Sequence, residues 1–307
     1  MTFPRSPIAA AVLAAGFLSA PASAQEVFGF DLKGSLGQGR FQNYVPPVSM
    51  FTLNETPFIT TEVRPIFIYH RIPSGFVTDG GRVIGGAVQA RLALGDRFGL
   101  IATTDGFVDL NFDEVLPDTD GFLDLTAGAK YAVVSDPENG NIVTVGARYT
   151  APVGNVETAG IDLTGSTSGF LDGFVTAAKI FEDGSQAQGT FGYQWGISDR
   201  SWSYFHLHGQ LTKEFFPGVF PLIEANAILP TNGGDRIPGA SLTGADVFDI
   251  GASDPDPTFT LAIGARFLPL PSVSLGAVVE GNVLDIGSES ANSVTGWRIT
   301  ADAVIHF

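Results

Sequence analysis

Apolar and polar residues alternate along most of this chain. From Phe259 to Phe267 the apolar set is Phe259, Leu261, Ile263, Ala265 and Phe267, with Thr260, Ala262, Gly264 and Arg266 between them. In the next stretch Val273, Leu275, Ala277, Val279 and Val283 alternate with Ser274, Gly276, Glu280 and Asn282. Leu123, Leu125, Ala127, Ala129 and Val133 alternate with Asp124, Thr126, Gly128 and Lys130. Phe191, Tyr193, Trp195 and Ile197 stand against Gln188, Thr190 and Gln194. A period of two marks strands with one apolar and one polar face. The pattern predicts about twelve strands, give or take two. They cover 63–70, 82–94, 98–105, 122–134, 141–151, 169–181, 187–197, 203–213, 219–229, 258–268, 272–283 and 295–307. Over 169–181 the phase is ambiguous, because Phe170, Asp172 and Phe174 share a face. No segment of comparable length carries a helical stripe.

Most of these segments exceed the about 5–6 residues of a typical soluble strand. They suit a tilted strand crossing a bilayer, which needs roughly 9–11 residues. The connections alternate in length: 71–81, 106–121, 152–168, 230–257 and 284–294 are long, and those between them are short. The stretch 198–202 is the exception. Outer-membrane barrels have short periplasmic turns and longer outer loops, whereas a soluble sandwich has no reason to sort its loops this way.

Composition sharpens this reading. Only 16% of the residues are charged and glycine numbers 38. Beyond the first residues no apolar run approaches the roughly 20 residues of a spanning helix. Residues 1–24 read as an export signal: Arg5 is their one charge, Ile8 to Leu18 is apolar, and Ala22-Ser23-Ala24 fits a small-x-small cleavage site. Residues 25–62 resist assignment and suit a periplasmic segment, a plug inside a barrel, or one more hairpin. The barrel itself is expected over 63–307. A formal net charge of −16 disfavours nucleic acid as a partner. The chain has no cysteine, so no disulfide holds it.

The chain ends in WRITADAVIHF, an alternating strand closed by Phe307. With the export signal and the strands before it, this ending resembles the bacterial outer-membrane β-barrels. More narrowly, EVRPIFIYHRIP, VQARLALGDRFGLIATTDGF and LDLTAGAKYAV resemble a group of poorly characterised exported barrels, and more loosely the porin-like barrels linked to uptake of aromatic compounds. The resemblance implies an all-β fold: a transmembrane, antiparallel, up-and-down barrel of about twelve strands in the outer membrane. It implies contact with outer-membrane lipid and lipopolysaccharide, and Phe307 as a signal for the barrel assembly machinery. The polar, mixed-charge inward faces and the alternating loops point to a monomeric, porin-like passive channel for small solutes. The resemblance brings no substrate and no binding residue. A closed structural or adhesive barrel acting through its outer loops is the alternative, and a lipid-modifying enzyme a weaker one.

In such a barrel the polar faces line the interior. They place Arg64, Arg91, Lys130, Arg148, Arg266 and Arg298 inside, together with Asp105, Asp124, Glu224, Glu280 and Asp302. Rings of fixed charge set the preference of a pore. The same residues also suit an internal ion-pair network filling a narrow barrel, with Arg266 beside Glu280 and Arg91 beside Asp105. The nearly balanced signs predict no strong ion preference. YFHLHGQ puts His206 and His208 on one face, about 7 Å apart along a strand. Two imidazoles are too few for a tetrahedral metal site, so polar lumen histidines are the expectation, with no metal or cofactor. No histidine is followed two residues on by serine, so no strand face pairs a base with a nucleophile, and no enzyme is expected. Acidic residues crowd two outer loops: Asp113, Glu114, Asp118 and Asp120 in one, Asp246, Asp249, Asp254 and Asp256 in the other. They read as solvated surface rather than a cation site, since Glu114 stands where a calcium loop wants glycine.

Overall fold

A computed structural model describes residues 26–27, 30–104, 106–165, 168–284 and 291–307. The expected export signal and Asp105 lie outside the described residues. The architecture is a closed, antiparallel, up-and-down barrel of twelve strands, with no α-helix among the described residues. Its wall starts with Glu62–Ile72 and Gly81–Ala93, then Phe98–Thr104 continued by Gly106–Phe112, then Thr119–Phe122 continued by Leu125–Asp136. Asn141–Ala151, Phe170–Ile180, Gln186–Gly196, Ser203–Thr212, Val219–Asn232, Thr258–Leu270, Val273–Asn282 and Trp297–His306 complete it. Trp297–His306 pairs back onto Glu62–Ile72, which closes the seam. Closure matters because lipid offers no partner for an open strand edge.

Alternation is visible in the wall itself. Along Gly81–Ala93 every second residue is buried and the rest face out. The outward set forms an apolar belt, with Val88, Leu171, Leu207, Ile223, Ile263 and Val279 all about half exposed. Tyr69 and Trp297 pair on this outer surface, where amphipathic rings favour the membrane interface, and the apolar rings of Phe191 and Phe205 stack there too. The ambiguous stretch resolves plainly: Phe170, Asp172, Phe174 and Thr176 all point inward and Leu171 and Val175 outward.

One expected loop is mostly strand. Gly106–Phe112 pairs with Gly81–Ala87, and Thr119–Phe122 pairs with Phe107–Leu110. Here the polarity of the faces inverts. Val108 and Leu110 are buried, while Asp109 is exposed and Asn111 partly so. Beyond Phe107, which still faces out beside Phe122, the outer face turns polar and the inner face packs apolar loops. The loops deliver Ala245, Phe248 and Ile250 to a cluster with Ile72, Val83, Val108, Leu110 and Val294.

The segment before the first strand turns inward. A single 3-10 turn, Gly39–Asn43, leads into residues 44–60, which are buried throughout. The chain bends at Met50, whose carbonyl accepts from Leu53 and Asn54. It returns so that Ile59 accepts the Ser35 amide. Both ends of this hairpin therefore leave at the end of the barrel that carries the short turns.

Candidate functional site: a filled lumen beneath an apolar loop pocket

Residues 44–60 form no regular ladder, so their backbone groups need partners from elsewhere, as buried peptide groups do. Side chains from most of the wall supply them. Pro46 and Pro47 lack an N–H, and their carbonyls accept from Arg266 Nε at 3.1 Å and Arg64 Nη2 at 2.8 Å. Gln89 donates to the Phe51 carbonyl and Arg148 to that of Leu53. Lys130 donates to Thr56, Thr144 to Pro57, and Thr176 and Thr190 both to Glu55. Only donors can satisfy carbonyls, which explains an inward face rich in Arg, Gln and Thr. Glu224 does the converse: its two oxygens accept the successive amides of Val48 and Ser49 at 2.8 and 2.6 Å.

Apart from Glu224, the inward charges are paired. Glu55 takes Arg91 Nε and Nη2 and Lys130 Nζ, each at 2.8 Å, and Arg91 also reaches Glu62 at 2.9 Å. Asp302 holds Arg64 and Arg266. Glu280 holds Arg298 at 2.7 Å, and Asp172 holds Arg148 and His206. The expected pairing of Arg266 with Glu280 is therefore replaced. Register is the reason: Glu280 lies opposite Arg298 and Ala262, while Arg266 lies opposite Gly276 and thence in line with Asp302. Gly276 makes that crossing possible, because a β-carbon there would lie 2.7 Å from Asp302 Oδ1 and 2.8 Å from Arg266 Cζ. Arg91 pairs with Glu55 and Glu62; its expected partner Asp105 lies outside the described residues.

His206 and His208 lie inward and share a 3.1 Å hydrogen bond. His206 also bonds Asp172 at 3.0 Å and His208 bonds Asn226 at 2.9 Å. Gly192 faces His206 and leaves room for its ring, which a β-carbon would meet at 2.2 Å. No three His, Cys, Asp or Glu side chains are placed to share a metal among the described residues. Asn226 passes the chain of contacts to Glu280 and so to Arg298. A continuous polar belt thus runs round the wall from Arg148 to Arg298.

Asp124 is half-buried outside this belt and accepts the Gly154 amide. Phe307 is half exposed, its amide bonded to the Thr61 carbonyl. Two acidic loop residues depart from the solvated reading: Asp246 and Asp249 are buried. Asp246 reaches Arg298 Nη1 at 2.7 Å. Burial alone would push its carboxyl up, but the Arg298 guanidinium overrides this and holds it below the usual carboxylate range. Its distance in sequence from any strand hid this role. By contrast Asp113, Glu114, Asp118 and Asp120 are exposed.

Above the filled lumen the loops enclose a cavity of about 230 Å³ with a wholly apolar lining. Ile72, Phe76, Leu110, Phe112, Phe248 and Val294 form much of its wall. A smaller mixed cavity of about 70 Å³ sits deeper, between the loops and the luminal segment, and shares Leu163 and Phe248 with it. Sequence alternation gave no signal for the apolar cavity, since its walls are loops and strand ends of inverted polarity.

The chain resembles solved outer-membrane barrels. An outer membrane channel from Pseudomonas putida F1 superposes with a TM-score of 0.54 at 17% identity, over 86% of this chain and 100% of that one. The NanC porin gives 0.49 at 8% identity over 80% and 99% of the two chains. The KdgM porin, solved with disordered oligogalacturonate, gives 0.43 at 8% over the same shares. No family model and no curated protein matches the chain. Identity at this level speaks to the fold alone, a closed antiparallel barrel of twelve strands.

Proposed function

We propose that the protein is an outer-membrane channel for small solutes, that residues 44–61 act as its plug, and that it takes apolar solutes from the outer face. The carrying observation is the apolar cavity of about 230 Å³. A solvent-facing loop cluster has no need to line such a concavity with apolar side chains, and ligand sites are commonly apolar concavities. Beneath it the lumen is filled, its arginines and Lys130 are paired and Glu224 is engaged by backbone amides, so the wall offers no open ring of fixed charge to select hydrated ions. The outer leaflet of lipopolysaccharide resists apolar molecules, which gives a protein route its purpose. Nothing in this reading requires a catalytic step: His206 and His208 are bonded to each other, to Asp172 and to Asn226, and His70 bonds the Val294 carbonyl. A closed wall with no free strand edge supports a monomer.

Uptake of labelled toluene by cells displaying the protein tests the reading. Cells with the protein should accumulate toluene faster than cells without it. Leu110→Asn, which puts an amide into the cavity, should remove most of that advantage. Equal rates in cells with and without the protein would refute apolar uptake.

A further inference from the structure

We propose that Asp246 is a latch that holds the luminal segment in place and couples it to the apolar pocket. The proposal rests on the channel reading above and names the residue through which the outer loops act on the plug.

Asp246 belongs to the long outer loop after Val219–Asn232, yet its side chain is fully buried inside the barrel. Three contacts hold it there. Oδ1 pairs with Arg298 Nη1 at 2.7 Å. The single Thr52 hydroxyl proton is shared between Oδ2 at 3.0 Å and the Asp246 carbonyl at 2.9 Å. Thr52 stands in the bend of the luminal segment, beside the Leu53 carbonyl that Arg148 holds. Asp246 therefore closes a circuit: the polar belt runs from Arg148 to Arg298, Arg298 meets Asp246, and Asp246 meets Thr52. It is the point where outer loop, wall and luminal segment join.

The same short stretch of loop faces the solute. Phe248 and Ile250 line the apolar pocket, and Phe248 also lines the deeper cavity with Asp246. Ala245, next to Asp246, adopts φ 53°, a left-handed conformation that residues with a β-carbon take at a cost. A solute pressing on Phe248 thus bears on backbone that is already strained and that carries the latch. Moving that backbone withdraws the carboxylate from Thr52 and Arg298 together. A solute can shift the plug only through such a differential contact.

Labelling of a single luminal cysteine tests the latch without relying on transport. The chain has no cysteine of its own, and Ser49 is completely buried, so Ser49→Cys reports exposure of the segment to a maleimide. In folded protein reconstituted in vesicles, Asp246→Asn should raise the labelling rate about tenfold or more, a shift of the closed population by one decade. Toluene should raise the rate in the Ser49→Cys protein and add little in the Asp246→Asn background. Folding of each variant is verified by heat-modifiable mobility on electrophoresis. If Asp246→Asn does not fold, Thr52→Val, which removes the same hydroxyl contact, takes its place and should also raise the rate. Unchanged labelling in a folded variant would overturn the latch, whatever the toluene uptake result. Raised labelling with no protein-dependent toluene uptake would instead uphold the latch and sink the apolar-solute reading.

Discussion

Glu55 shows what a single side chain does in this interior. One carboxylate takes two bonds from Arg91 and one from Lys130, all within the lumen. Each oxygen of the pair is out of water, so removing the negative charge leaves two cations with only Glu62 for compensation. Breaking a buried ion pair in this way costs about 3 kcal/mol or more. Glu55→Gln should therefore lower the thermal midpoint of the micelle-bound protein. Lys213→Gln, at the exposed pair with Asp183, should leave it in place, since surface pairs contribute little. Glu55 was not among the residues that alternation could find. It lies in a segment with no period, where polarity says nothing about direction. Arg91 and Lys130 were legible as inward residues because their strands alternate cleanly; their partner was not.

At the scale of the element, the wall was readable wherever lipid lies outside it. Lipid imposes one rule on the outward face, and Gly81–Ala93 obeys it residue by residue. Gly106–Phe112 was read as loop because there the rule reverses: Val108 and Leu110 turn in toward the loop cluster and Asp109 turns out toward water. A method that expects apolar residues outside sees no strand in such a stretch. The reversal gives a direct prediction. Val108→Asp should destabilise the protein by about 2–4 kcal/mol, the range for burying an unpaired polar or charged group, read as a drop in urea midpoint. Asp109→Leu, two atoms of backbone away but facing water, should change that midpoint little. If 106–112 were a loose loop, the two substitutions would be equally mild. The phase of Phe170–Ile180 teaches the same lesson in reverse. Phe170 and Phe174 blur the phase because they share a face with Asp172; the apolar cluster of Phe170 with Met50 and Leu53 of the luminal segment explains why Phe170 points inward.

For the whole molecule the hairpin of residues 44–60 is the organising fact. The wall's inward charges are satisfied by one another and by this segment, so the barrel and its filling form one hydrogen-bonded body. The twelve strands, the sorted loops and the outward belt were all legible, since each follows from the bilayer. The filling was not, because its bonding comes from side chains scattered over the wall and leaves no pattern in its own sequence. The seam adds a further consequence, one of timing. Glu62–Ile72 and Trp297–His306 meet only when the last strand is in place, and Arg64 on one then grips Asp302 on the other. Arg64 and Arg266, both bound to Asp302, are also the residues that grip Pro47 and Pro46. The final stitch of the cylinder and the seating of its filling therefore mature as a single event. Deleting residues 32–61 should slow the appearance of the compact, heat-modifiable form during refolding into micelles, with strands and loops unchanged in sequence. Refolding at the parental rate would mean that the cylinder closes first and is filled afterwards.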